Sequence, residues 1–239
     1  MKSLTLKEKI IFGIYTAIMF LFYVSFIILD TAIGDIAIST STWIKYSSII
    51  LSTIFTLYLF IDFLFKKEDI LIRLFGLLAV ILTLVSDLFL LVINDYYVAG
   101  VTVFIFAQLA TAARLHLINK NKVILIISIG LRIFAFIERT VLTAVFQNPD
   151  MVLYSLVFFY FINLVLNFTL AVITAITDSR LSNILLAIGL FLFIMCDIFV
   201  GLANIRNMSV LNFIAWIFYL PCQYLIATSL KMQPKEFNL

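Results

Sequence analysis

The chain has 239 residues, of which 64% are apolar, 15% aromatic and only 12% charged, with a formal net charge of +3 and a mean hydropathy of +1.20. Soluble domains are about 45 to 50% apolar and about 25% charged, so this composition excludes a water-soluble globular protein, a disordered chain and a nucleic-acid binder. It describes an integral membrane protein, whose few charges matter by where they lie rather than by their sum.

Long apolar runs predict eight helices, at roughly 9–29, 43–65, 70–93, 97–118, 122–145, 151–177, 183–203 and 211–230. The runs are continuous and lack the two-residue alternation of a lipid-facing barrel, so the expected fold is an all-α polytopic bundle of eight transmembrane helices. The first run is too long for a signal-peptide core and is expected to be a retained anchor. With 7 glycines and 3 prolines no linker is visible, and residues 1–239 are expected to form one membrane domain.

The short loops carry an uneven set of cations. Lys2, Lys7, Lys9, Lys66, Lys67, Arg73, Arg114, Lys120, Lys122, Arg180, Lys231 and Lys235 would share the side that carries both termini, against Lys45 and Arg206 on the other. That asymmetry predicts cytoplasmic N- and C-termini. The same cations would rest against anionic headgroups of the surrounding membrane lipids.

Cys196 and Cys222 fall inside apolar runs, which argues against a disulfide framework or a zinc site. The single histidine, His116, excludes histidine-rich metal hydrolases. No metal and no cofactor is expected.

Carboxylates within apolar helices cost about 2.5 to 3.5 kcal/mol each on insertion scales and are functional candidates by default. Asp87 and Asp197 are the two that stand out. The pattern D-x-F-x4-N runs from Asp87 to Asn94 and again from Asp197 to Asn204, an offset of 110 residues. In the helix after each, Phe104-x3-Gln108-x3-Ala112 matches Tyr219-x3-Gln223-x3-Ala227. Each half would hold four helices, so the halves would be parallel pseudo-repeats, 9–118 and 122–230, related by an axis along the membrane normal. Such an axis sets both aspartates at one depth, about 6 to 9 Å to the non-cytoplasmic side of the midplane at 1.5 Å per residue. Asp87 with Asn94, and Asp197 with Asn204, would nearly share a helix face. Gln108 and Gln223 would lie close to the midplane.

The remaining intramembrane polar residues admit more than one role. Arg132, or Arg139 beside Glu138, would pair with one of the aspartates, bind a substrate headgroup, pair helix to helix, or snorkel to an interface. Asn163 and Asn167 share a face and read as structural. His116 reads as a solvated interfacial side chain, and Asp30, Asp35 and Asp62 as span-end or loop residues.

On these residues the chain resembles the YhhN family of membrane lysoplasmalogenases. The family pattern has a small residue plus Asp, followed by G-x3-F-x3-H-x2-Y, and later S-D followed by Y-x3-Q. The matching positions are Asp87, Gly100 and Phe104, then Asp197, Tyr219 and Gln223. The chain departs from the pattern at Ser86, Cys196, Gln108 and Thr111; glutamine at 108 cannot transfer a proton as the family histidine can. The resemblance implies hydrolysis of the vinyl ether bond of a lysophospholipid substrate, lysoplasmalogen, to a fatty aldehyde and a glycerophospho-alcohol. Two carboxyls suit that chemistry. Protonation at carbon gives an oxocarbenium ion that water captures, with one aspartate as acid and the other as stabilising base. Asp87 and Asp197 would carry these roles, with Gln108, Tyr219 and Gln223 positioning water or headgroup, and Asn94 and Asn204 as further substrate-binding or positioning candidates. The resemblance also points to a bacterial cell membrane. Oligomeric state stays open.

Three rivals use the same residues differently. A proton-coupled transporter or carrier of a lipid or small molecule would use the Asp87/Asp197 pair as its titrating centre. An intramembrane aspartyl protease pairs two aspartates as well, but its G-x-G-D signature is missing and Leu220-Pro221-Cys222 is a weak echo of its second motif. A purely structural membrane protein needs neither aspartate.

Overall fold

A continuous apolar run in lipid must satisfy its own backbone, and the helix does so segment by segment. The computed structural model describes residues 6–32, 38–66, 70–119, 121–146, 149–206 and 208–231, and these form eight helices: α1 Leu6–Ala32, α2 Ile38–Lys66, α3 Ile70–Asp87, α4 Tyr97–Ile118, α5 Lys122–Phe146, α6 Pro149–Thr177, α7 Leu181–Arg206 and α8 Ser209–Lys231. No strand occurs among the described residues. Each expected span is occupied by a helix, with ends displaced by at most five residues when the π-helical Leu88–Ile93 is counted with α3. The largest displacement is at the start of α2, where helical hydrogen bonding runs on through polar Thr40, Ser41 and Thr42, which the hydropathy reading leaves outside the span. Lys2, Lys67, Lys120 and Lys235 of the basic set, and Asp35, lie outside the described residues.

Seven of the helices are long and apolar enough to cross a membrane, and the chain is an integral membrane protein. The expectation of eight such spans needs one correction. α5 does not reach that standard, because Arg132, Glu138 and Arg139 interrupt it. Its polar side is turned inward all the same: Ser128, Arg132 and Ala135 are buried, whereas Ile126, Ile127, Ile133, Phe134 and Ile137 are exposed. Apolar residues outward and polar residues inward is the arrangement a helix facing lipid requires.

α3 ends differently from the others. After Asp87 the chain passes into a π-helical segment, Leu88–Ile93, and then into left-handed residues at Asn94 (φ 53°) and Tyr96 (φ 55°) before α4 begins. Two side chains outside glycine in that region cost of order 1 kcal/mol or more each. The bend brings α4 back against α3 so closely that a Cβ on Gly100 would fall 2.6 Å from Leu90. The Ser86 hydroxyl donates to the Gly100 carbonyl at 2.7 Å, tying the two helices at the level of Asp87.

The longest interfaces are α7 with α8 and α3 with α4; α2 lies along α3 and α8, α6 along α7 and α4, and α1 and α5 flank α2 and α6. The principal core joins Phe104, Tyr160, Leu164, Leu190, Phe193, Trp216 and Tyr219, where α4, α6, α7 and α8 meet. A second core around Tyr15, Phe55, Leu59 and Leu230 fixes α1 and α2 to the far end of α8.

Candidate active site

Asp87 closes α3 and is buried, whereas Asp197 lies within α7 and is half-buried. Each is met by a tyrosine from another helix. The Tyr219 hydroxyl, on α8, donates to Asp87 Oδ2. Tyr160, on α6, donates to Asp197 Oδ2 at 2.5 Å. A phenol bonded to one carboxyl oxygen restricts the carboxyl's rotation and orients the remaining oxygen. The two carboxyls lie within electrostatic range of one another, and Tyr160, Cys196 and Cys222 lie within range of both.

Aromatic rings connect the two pairs. Phe104 packs on Tyr160 with centroids 5.4 Å apart and on Phe193 at 5.8 Å, and Phe193 meets Tyr219 edge to face at 5.6 Å. Trp216 stands perpendicular to Tyr219 at 5.1 Å. The tyrosines that hold the carboxyls therefore belong to one cluster of rings, an apolar setting in which charges and protons carry a large electrostatic weight.

One helical turn away lies a small internal cavity. Thr83, four residues before Asp87, forms part of its wall with Ala107, Gln108, Leu190, Phe193 and Gln223. Both glutamines are nearly fully buried, at 2% and 3% exposure. They differ in their partners. Asn167 Nδ2 donates to both the Gln108 backbone carbonyl, at 2.8 Å, and its Oε1, at 2.9 Å, so Nε2 is that side chain's free donor. Gln223 Nε2 is enclosed and has no hydrogen-bond partner among the described residues. An enclosed, unpaired amide costs about 1 to 3 kcal/mol.

Asn94 and Asn204 do not join this site. Both are exposed near the ends of their helices. The π-helical turn winds more slowly than an α-helix and carries Asn94 off the face of Asp87; its Oδ1 instead accepts from the Tyr97 hydroxyl at 3.1 Å. Asn204 stays close to the Asp197 face, but two turns further on, beyond the packed core.

Arg132 pairs with neither aspartate. It donates through Nη1 to Asn163 Oδ1, through Nη2 to Asn167 Oδ1 at 2.8 Å, and through Nε to Ser128 at 3.4 Å. Asn163 and Asn167 thus link α5 through α6 to Gln108. Arg139 is taken up by its neighbour Glu138, at 2.5 and 2.8 Å. Asp30 has a partner that its span-end position did not suggest, the Lys45 ammonium at 2.6 Å. His116 is half-buried with Nε2 enclosed and unpaired, not solvated.

Tyr160 and Phe193 are the site residues that sequence reading misses. With 25 phenylalanines and 10 tyrosines in the chain, an aromatic residue in a span carries no signal of its own, and neither belongs to the repeated pattern.

A family model described as YhhN family matches residues 40–230, which include both aspartates, both tyrosines and both glutamines. The chain belongs to the YhhN family. No curated protein and no solved structure matches it. The family match begins within α2 and ends within α8, so the helices that build the site all lie inside it, and only α1 stands wholly apart.

Proposed function

We propose that this YhhN-family protein hydrolyses the vinyl ether bond of lysoplasmalogen, releasing a fatty aldehyde and a glycerophospho-alcohol. The observation that carries the reading is the pair of carboxyls on α3 and α7, each held by a tyrosine hydroxyl from a different helix, with the two tyrosines joined through Phe104 and Phe193. Vinyl ether cleavage begins with proton delivery to carbon. It continues through an oxocarbenium ion, which an adjacent carboxylate stabilises while it activates water. A pair sharing one proton supplies both parts, as paired carboxyls do in glycoside hydrolysis. Tyr219 and Tyr160 act as positioning residues for Asp87 and Asp197, and Gln108 and Gln223 line the space beside the reacting atoms.

The reading includes the two parallel four-helix halves. The interface of α3 with α4 is paralleled by that of α7 with α8, and α2 on α3 by α6 on α7, which supports a two-fold relation of the aspartates. On the same reading both termini face the cytoplasm of a bacterial cell, with lysophospholipid reaching the site from the bilayer.

The deciding assay is aldehyde release from lysoplasmalogen by purified protein, beside Asp87→Asn, Asp197→Asn and a saturated ether lipid. Release that needs both carboxyls and the vinyl bond is expected. Full activity in both folded variants would sink the mechanism. A second reading, a proton-coupled carrier, draws on the interrupted end of α3 at Leu88–Tyr96, since broken helices beside carboxylates mark transport sites. Substrate flux into proteoliposomes without bond cleavage would move that reading to the front.

A further inference from the structure

A hydrolase buried among aromatic rings has to bring one water to a cation that any nucleophile would capture. The cavity lined by Gln108 and Gln223 has the features of a site for that water. It has room for about one water molecule. Its wall includes Thr83, one turn from Asp87 on the same face of α3, and Phe193, whose ring touches both Phe104 and Tyr219. Gln223 Nε2, on a side chain only 3% exposed, is an enclosed donor with no acceptor among the described residues. Gln108 is held by Asn167 through Oε1, which makes Nε2 the end available to a guest. The side chains of Gln108, Gln223, Thr83 and Thr111 all line the cavity, enough polar residues for a buried water to find two to four partners. The Thr111 hydroxyl donates to the Ala107 carbonyl. The rest of the lining is apolar carbon from Ala79, Val80, Ala107, Leu190, Phe193 and Ile226, so a guest larger than water meets mostly packed carbon there.

We infer that Gln223 and Gln108 hold the nucleophilic water in this cavity, and that its size makes the enzyme a hydrolase by excluding alcohols. The inference rests on the lysoplasmalogen reading for its chemistry but not for the water site itself. The step balances as follows. Protonation of the vinyl carbon gives R–CH2–CH=O⁺–R′. Water adds to the cationic carbon and loses a proton to the carboxylate, giving the hemiacetal. Collapse of the hemiacetal breaks the C–O bond to R′ and yields aldehyde and R′OH. Were methanol to add instead, the product would be the mixed acetal R–CH2–CH(OCH3)(OR′), with the same proton returned and no aldehyde formed.

Two measurements separate the water site from the reaction. X-ray radiolysis makes hydroxyl radicals from ordered water, and these oxidise adjacent side chains. In the folded wild type, oxidation of buried Phe193 and Leu190 is expected, falling several-fold in Gln223→Leu. Absence of that labelling in the wild type overturns the site, whether or not aldehyde is released. The second measurement is product partition in aqueous methanol with lysoplasmalogen. The wild type is expected to give aldehyde alone, whereas Gln223→Ala and Ile226→Ala, which enlarge the cavity from its polar and apolar walls, give mixed acetal. Acetal from the wild type in proportion to bulk methanol overturns the exclusion, as does a partition unchanged in both variants. If Gln223→Ala fails to fold, Ile226→Ala carries the comparison. Labelling at Phe193 without aldehyde from any form supports the water site and retires the lysoplasmalogen reading.

Discussion

Asp87 and Asp197 occupy corresponding places in a repeated pattern, yet their surroundings differ. Asp197 lies inside an unbroken α7, half-buried, with Tyr160 on one oxygen. On its side of the bundle the polar groups are largely paired, Gln108 Nε2 excepted: Arg132, Asn163, Asn167 and Gln108 form a continuous chain across α5, α6 and α4. Asp87 is buried at the end of α3, followed by a π-helical turn and two left-handed residues. On its side the corresponding glutamine, Gln223, keeps an unpaired donor. One half is braced by a chain of paired amides and a guanidinium, and the other keeps strain and an enclosed donor without a partner among the described residues. Such features persist where the surrounding structure holds them in place, and they gather at functional sites.

The strongest way to break this comparison is to remove each carboxyl. Asp87→Asn and Asp197→Asn should each lower aldehyde-releasing kcat by about 10²- to 10⁴-fold, the usual contribution of a positioned acid or base. Loss in only one variant would reduce the pair to a single working carboxyl. The braced half makes a prediction about stability. Asn167→Leu leaves a buried guanidinium without one of its acceptors and should cost about 3 to 5 kcal/mol in thermal or denaturant unfolding. Arg132→Met in the same background should recover part of that, because the charge leaves with its need for a partner.

Smaller effects sharpen the contrast between the tyrosines. Tyr219→Phe and Tyr160→Phe each delete a hydrogen bond to a carboxyl, worth about 1.5 to 3 kcal/mol when the acceptor is charged. The expected fall in kcat is about 10- to 100-fold, larger for Tyr219 because Asp87 is the more deeply buried. Equal effects would mean that burial does not distinguish the two. The smallest test concerns the turn itself. Gly100→Ala drives a methyl group against Leu90 and should lower stability by about 1 to 3 kcal/mol. Gly13→Ala, where a Cβ meets nothing within 4 Å, should change the melting temperature little.

Much of this was legible residue by residue. The eight helices follow from apolar runs whose lengths match the bilayer, and Asp87 and Asp197 declare themselves because an acid in such a run is costly. Tyr219 and Gln223 came with the pattern around them. Asn94 was misjudged because a seven-residue spacing implies a shared face only while the helix remains α-helical. For Arg132 the helix-helix pairing among its readings holds, but the sequence could not name the partner: it lies across a helix interface, and it is the amides of Asn163 and Asn167 on α6, not either carboxylate, that meet the guanidinium.

The amino-acid sequence by itself determined that this is a membrane-embedded helical protein, where its helices run, and which two acids its interior tolerates. Those are consequences of transfer free energy, which is additive along the chain and needs no knowledge of neighbours. Only the tertiary structure decided that Tyr160 and Tyr219 hold the acids, that Asn167 occupies Gln108, and that Gln223 faces a cavity unpaired. Hydrogen bonds are directional and pairwise, so each depends on which helix lies alongside and how it is rotated, and no single run of residues carries that information.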